Sequence, residues 1–248
     1  MSFEAILFDC DGVLVDSELI TNRVLHAMLN EAGWALSAAE CMRIFIGKTV
    51  RSETARIEAE TGQPLTDAWM AEFYERRNVR LRAELVAIDG ALEAVRAVHQ
   101  QLQGRIAVAS GADKPKVLMQ LEKVGMLPFF GSHVFSGHDL PRTKPWPDVY
   151  LAAAAALGIA PQRCLVIEDS VPGLTAGLRA GCTVWGYVPR SGAHSSAEQL
   201  RAAGAHGVFH DMAELPSLLM HSQASANAPD QQTEQLPQPC TPSPDLLL

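Results

Sequence analysis

Apolar and polar positions along the chain change period in an ordered way. Ala5-Ile6-Leu7-Phe8 is an unbroken apolar run of strand length that stops abruptly at Asp9-Cys10-Asp11-Gly12. Such a run predicts a buried strand that delivers two carboxylates to the loop at its C-terminal end. From residue 17 to about residue 85 the spacing is helical instead. Leu19, Val24, Leu25, Met28 and Leu29 mark a first helix stopped by Gly33, and residues 37–46 a second ending at Gly47. Residues 50–61, closed by Gly62, predict a third, and residues 66–81 a fourth that carries Trp69, Phe73 and Tyr74.

Strand and helix patterns then alternate. A helix is expected over 90–101, a strand over 105–109 ending at Ser110-Gly111, and a helix over 116–124. A short strand at Val134-Phe135 precedes Ser136-Gly137, and an Ala-rich helix covers 148–157. The strand over 164–167 ends at Glu168-Asp169, a helix runs over 171–180, and strands follow at 183–185 and, weakly, at Val208-Phe209. This order predicts an α/β fold: a Rossmann-like parallel sheet with helices on both faces, interrupted by an inserted helical cap. The expected division is a core of residues 1–16 and 86–220, a cap of residues 17–85 that could close over a site and exclude water, and a tail of residues 221–248. The tail is rich in Gln, Ser, Pro and Ala, cannot bury enough apolar surface to offset its ordering entropy, and reads as disordered.

Composition narrows the function. At 248 residues, 48% of them hydrophobic, the chain can build one α/β domain with an insertion or two modest domains. The net charge of -8 argues against a general nucleic-acid or anionic-membrane surface, while leaving room for phosphate chemistry, which needs only local cations. No basic, apolar leader or bilayer-length apolar run is visible, so a cytoplasmic protein is expected, as a monomer or weak homodimer. Cys10, Cys41, Cys164, Cys182 and Cys240 are scattered, which suits reduced thiols, and the eight histidines show no metal-ligand spacing. Cys10, between the two aspartates, reads as a small packed side chain rather than a nucleophile.

Polar groups fall at the ends of three predicted strands: Asp9 and Asp11, Ser110, and Glu168-Asp169, with Lys144 in Thr143-Lys144-Pro145-Trp146-Pro147-Asp148. Asp9, at the end of a buried strand with no neighbouring cation in sequence, calls for a metal or a distant basic group. Taken singly the others have plain readings: Ser110 could start a turn, Lys144 could be a solvated loop lysine, and Glu168-Asp169 could cap the helix that follows. Their joint occurrence in this order resembles the haloacid dehalogenase-like hydrolase superfamily over roughly residues 4–215. The helical insertion resembles the α-helical C1 cap of its β-phosphoglucomutase-like and phosphoglycolate-phosphatase-like members. The stretches Asp9-Cys10-Asp11-Gly12, Phe135-Ser136-Gly137-His138-Asp139 and 142–145 are similar to those of bacterial sugar-phosphate phosphatases.

The resemblance implies a Mg²⁺-dependent phosphomonoester hydrolase acting on a small phosphorylated sugar or sugar acid. In it, Asp9 is the nucleophile that becomes a phosphoaspartate, and Asp11 protonates the leaving oxygen and then activates water. Ser110 donates to the phosphoryl oxygens and Lys144 offsets charge. Asp9, Asp169, Glu168 and the backbone carbonyl of Asp11 form the implied metal site. Repulsion of about 4 kcal/mol between unit charges 4 Å apart, at an effective dielectric of ~20, shows why phosphate and carboxylate need that counter-charge. Ser17, Glu18 and Gly111 are candidate substrate contacts, joined by Lys48 and Arg51 from the interhelical loop, which could meet an acidic group on the substrate or be simply solvated. A sugar phosphomutase is the nearest rival, yet Thr21 stands where β-phosphoglucomutases carry a proton-shuttling His. A dehalogenase would need neither Asp11 nor a metal, and a phosphorylated signalling module would have neither Asp11 nor the helical insertion.

Overall fold

The computed structural model describes residues 3–45, 48–189 and 195–227. The first apolar run forms β1 (Ala5–Phe8), and the four helices of the insertion follow it: α1 (Glu18–Glu31), α2 (Ala38–Phe45), α3 (Thr54–Thr61) and α4 (Asp67–Glu84). The chain continues through α5 (Ala91–Gln101), β2 (Ile106–Ser110), α6 (Lys114–Lys123), the single turn α7 (Leu127–Phe130), β3 (Val134–Ser136) and α8 (Asp148–Leu157). It ends with β4 (Cys164–Glu168), α9 (Val171–Arg179), β5 (Thr183–Tyr187), α10 (Ala197–Ala202), β6 (Gly207–Phe209) and α11 (Leu215–Asn227).

The six strands make one parallel sheet in the order β3-β2-β1-β4-β5-β6. Alternate residues of each strand feed opposite cores. Ile6, Phe8, Ile106, Val108, Leu165 and Ile167 face α5, α6 and α11, whereas Leu7, Ala107, Ala109, Val166 and Val184 face α8 and α9. With both faces covered, the strands read as continuous apolar runs, as a buried parallel sheet requires. The chain reverses its winding at β1, between β2 and β4, which is where a doubly wound sheet opens a crevice at its carboxyl edge. The four inserted helices build their own cluster, in which Leu25, Met28 and Leu29 of α1 meet Met70 and Phe73 of α4.

The structure departs from the sequence reading in places. Residues 50–61 are not one helix: a 3-10 turn (Val50–Glu53) comes first. There Thr49 Oγ1 accepts from Ser52 N at 3.1 Å and Thr54 Oγ1 donates to Arg51 O at 2.8 Å, side-chain bonds that compete with the helical ladder. The expected tail begins at residue 221, but α11 continues through Asn227 because Leu215 and Leu219 anchor it in the core. Residues 228–248, with Cys240, lie outside the described residues, as do Gly47 and His194.

Candidate active site

Three neighbouring strands deliver the site. Asp9 directly follows β1 and extends its pairing by donating N–H to Ile167 O at 3.0 Å; Ser110 ends β2; Glu168 ends β4, with Asp169 next. Gly12 turns the chain away with φ +83°, a conformation that costs glycine nothing, so the Asp9 carboxylate stays at the sheet edge. Carboxylate oxygens of Asp9, Glu168 and Asp169 all lie within 4.8 Å of one another, and all three residues are buried.

Lys144 answers this charge. Its Nζ donates to Asp9 Oδ1 at 2.5 Å and to Glu168 Oε1 at 2.6 Å, and it sits 4.9 Å from the Tyr150 ring centroid. Glu168 is held from every side: Tyr150 OH donates to Oε1 at 2.8 Å, while Asp169 N, Ser170 N and Ser170 Oγ donate to Oε2 at 3.0, 3.1 and 3.0 Å. Burial works against its ionisation, but Lys144 and these donors outweigh it and hold the Glu168 carboxyl below the usual range. Asp9 goes the other way. Burial, with the charges of Glu168 and Asp169, overcomes the pull of Lys144 and pushes it up to about 8. The loop carrying Lys144 is pinned outside the site, where Trp146 lies between the guanidinium groups of Arg142 and Arg179, 4.4 and 5.1 Å from its ring, and Arg179 donates to Pro145 O at 2.9 Å.

Asp11 is turned towards α6. Lys116 Nζ lies 2.9 Å from both of its oxygens, Gln120 Nε2 donates to Oδ1 at 2.8 Å, and the Ser17 hydroxyl donates to the same oxygen. Burial opposes ionisation, yet Lys116 with the two neutral donors, Ser17 and Gln120, leaves the Asp11 carboxyl far below the ordinary carboxylate range. The sequence reading missed Lys116 and Gln120. Their only signal is spacing: one helical turn apart, they share the buried face of α6 with Val117 and Leu121, polar groups where the pattern calls for apolar ones. Cys10 is packed as expected, its Sγ 3.7 Å from Gln120 Oε1 and its thiol pushed well up by burial, so it is no nucleophile.

A cavity of about 540 Å³ opens between these groups and the inserted helices. Asp9, Asp11, Ser110, Gly111, Lys144 and Asp169 line it from the sheet edge, and Ser17, Glu18, Lys48 and Arg51 line it from the insertion. Of these, Lys48 pairs with Glu53 at 2.9 Å and Arg51 with Asp67 at 2.6 Å in partly exposed ion pairs. Another cation escaped the sequence reading. Arg77 of α4 is buried beside the Tyr74 ring at 4.8 Å and reaches Asp113 of the sheet domain at 3.2 Å, tying the insertion to the first turn of α6.

A family model described as haloacid dehalogenase-like hydrolase matches residues 3–181. The chain belongs to that family. Among curated relatives, the 6-phosphogluconate phosphatase of Escherichia coli is 33% identical over 183 residues, 73% of this chain and 81% of the relative. Hexitol phosphatase A of the same species is 31% identical over 187 residues, 74% of this chain and 82% of the relative. The solved structure of a HAD family hydrolase from Deinococcus radiodurans, with bound phosphate and sodium, is 35% identical with a TM-score of 0.74, covering 89% of this chain and 96% of that one. Among the described residues no helix is long and apolar enough to cross a membrane.

Proposed function

We propose that this hydrolase is a Mg²⁺-dependent phosphatase that acts through a phosphoaspartate on a small phosphorylated sugar or sugar acid. The observation that carries the reading is the buried cluster itself: Asp9, Glu168 and Asp169 bring carboxylate oxygens within 4.8 Å of one another, with the Lys144 ammonium bonded to two of the three. An all-oxygen donor set of that charge fits a hard divalent cation. Asp9, Asp169 and the backbone carbonyl of Asp11 would hold it, and Glu168 would keep Lys144 and the 168–170 turn in place. A cation held there would offset the charge of the carboxylates as the phosphate approaches.

Asp9 attacks phosphorus and displaces the sugar oxygen, which Asp11 protonates; Asp11 then takes a proton from the water that opens the phosphoaspartate. Held by Lys116, Asp11 is ionised in this arrangement, and donating a proton would require it to part from Lys116. Ser110 and nearby backbone N–H groups bind the phosphoryl oxygens, and Lys144 balances their charge. The inserted helices, residues 17–85, act as a cap on a core of residues 1–16 and 86–220, with the cavity between them as the substrate space. Thr21 in its wall is no proton shuttle near neutral pH, which favours water over a second sugar hydroxyl as acceptor. The sugar-phosphate class draws support from the two curated relatives named above. The four described cysteines are free and buried, which suits a reducing, cytoplasmic setting. The deciding experiment is phosphate release with Mg²⁺ across sugar phosphates, sugar-acid phosphates, phosphoglycolate and nucleotides, with Asp9→Asn as control. Release ranked highest for a sugar or sugar-acid phosphate and lost in the control is expected; release that survives Asp9→Asn would overturn the mechanism.

A further inference from the structure

The cavity wall formed by α1 holds two polar side chains with nothing to bind. Asn22 is 7% exposed and lines the cavity, and among the described residues its side-chain amide makes no hydrogen bond. Next to it, Thr21 Oγ1 is buried and also without a partner. Leu25, Phe45, Met70 and Phe73 line the same space from the insertion, beside the polar Ser17, Glu18, Lys48 and Arg51. A buried hydroxyl left unpaired, as at Thr21, is a standing cost to the fold, and a chain keeps one where something else completes its bonds.

We propose that Asn22 and Thr21 are specificity determinants that read the hydroxyl groups on the carbon chain of the substrate. The inference rests on the phosphatase reading. The phosphoryl group is met at the sheet edge by Ser110, Lys144 and Asp9, so what reaches α1 is the remainder of the ester. An amide offers donors and an acceptor, and a hydroxyl offers one of each. A polyhydroxylated chain presents both kinds of partner along its length, with C–H faces between them that suit Phe45 and Phe73. Aliphatic and aryl phosphates present neither. A pocket built to bond hydroxyls rejects analogues that lack them, because its own buried groups then stay unpaired. Neither residue belongs to the four motifs that carry the chemistry, so the two can differ without touching phosphoryl transfer.

The test is a ratio, insensitive to general damage. Wild type, Asn22→Leu and Thr21→Val are assayed with 6-phosphogluconate and with 6-phosphooxyhexanoate, which keeps the chain length, phosphate and carboxylate but has no hydroxyls on the chain. The wild type is expected to favour the hydroxylated ester in kcat/KM, and Asn22→Leu to reduce that preference on the order of 10²-fold, with a smaller reduction for Thr21→Val. The Tm of Thr21→Val should equal or exceed that of the wild type, since a buried unpaired hydroxyl gives way to a methyl of similar size. A wild type that does not discriminate between the two esters, or a preference that is unchanged in both variants, overturns the inference. No release from these esters or from p-nitrophenyl phosphate in the wild type would instead overturn the phosphatase reading beneath it.

Discussion

Gly173 has no side chain because Glu168 occupies the space where one would be: a Cβ there would lie 1.7 Å from the carboxylate oxygen Oε1. Glu168 cannot retreat, since Lys144, Tyr150 and three donors of its own loop hold it. We expect Gly173→Ala to cost about 1–3 kcal/mol of stability in chemical denaturation and most of the activity, a far larger effect than this substitution has in an ordinary helix. Asp9 sets a second expectation at this scale. An acid whose folded pKa, about 8, lies above its unfolded value of about 3.9 destabilises the folded state as pH rises between the two. In chelator, Tm should therefore fall from about pH 4 to about pH 8. Mg²⁺ should raise Tm most at the upper end of that window, by about 2.7 kcal/mol in stability at 100 times its Kd, and Asp9→Asn should flatten the whole dependence. A Tm that climbs through this window in chelator would count against the buried, metal-seeking Asp9.

Among the elements, α6 does the most for the site although no motif residue lies in it. Its first turn is capped by Asp113, whose Oδ1 accepts from Lys116 N at 3.0 Å while Oδ2 receives Arg77 from the insertion. One turn further on, Lys116 and Gln120 hold Asp11. Lys116→Met would leave the Asp11 carboxylate with neutral donors only, and we expect a loss of about 2 kcal/mol in denaturant unfolding, less than for a fully buried pair because Asp11 is still partly exposed. Asp11→Asn removes the acid while keeping the backbone carbonyl. It should retain the Mg²⁺-induced rise in Tm but lose 10²–10⁴-fold in turnover, measured as phosphate release. Full activity in that variant would remove Asp11 from the proton-transfer steps.

At the scale of the molecule, the site exists because the sheet reverses its winding at β1. The reversal leaves the ends of β2, β1 and β4 side by side, with no crossover helix covering the edge. The helical insertion leaves the core directly after β1 and returns before α5, so it hangs over that edge. The cavity is the space between the two, and Arg77 with Asp113 is a contact that spans it.

Most of this plan was legible in the chain. Apolar runs ending in Asp9, Ser110 and Glu168 require buried strands with polar ends, and the switch to helical spacing between residues 17 and 85 marks the insertion, because burial period and chain breakers are local properties. What stayed hidden depends on contacts distant in sequence. Lys116 meets Asp11 and Lys144 meets Asp9 across more than a hundred positions, and no spacing rule joins such pairs. Lys48 and Arg51 line the cavity, and only the fold shows their pairing with Glu53 and Asp67, while Arg77 and Asn22 were concealed as ordinary polar positions of helices. The strands, the inserted helices and the carboxylates at the strand ends follow from the sequence. The tertiary structure alone decided which charges are already neutralised and which polar groups are left for a ligand, because both depend on what surrounds a side chain rather than on what precedes it.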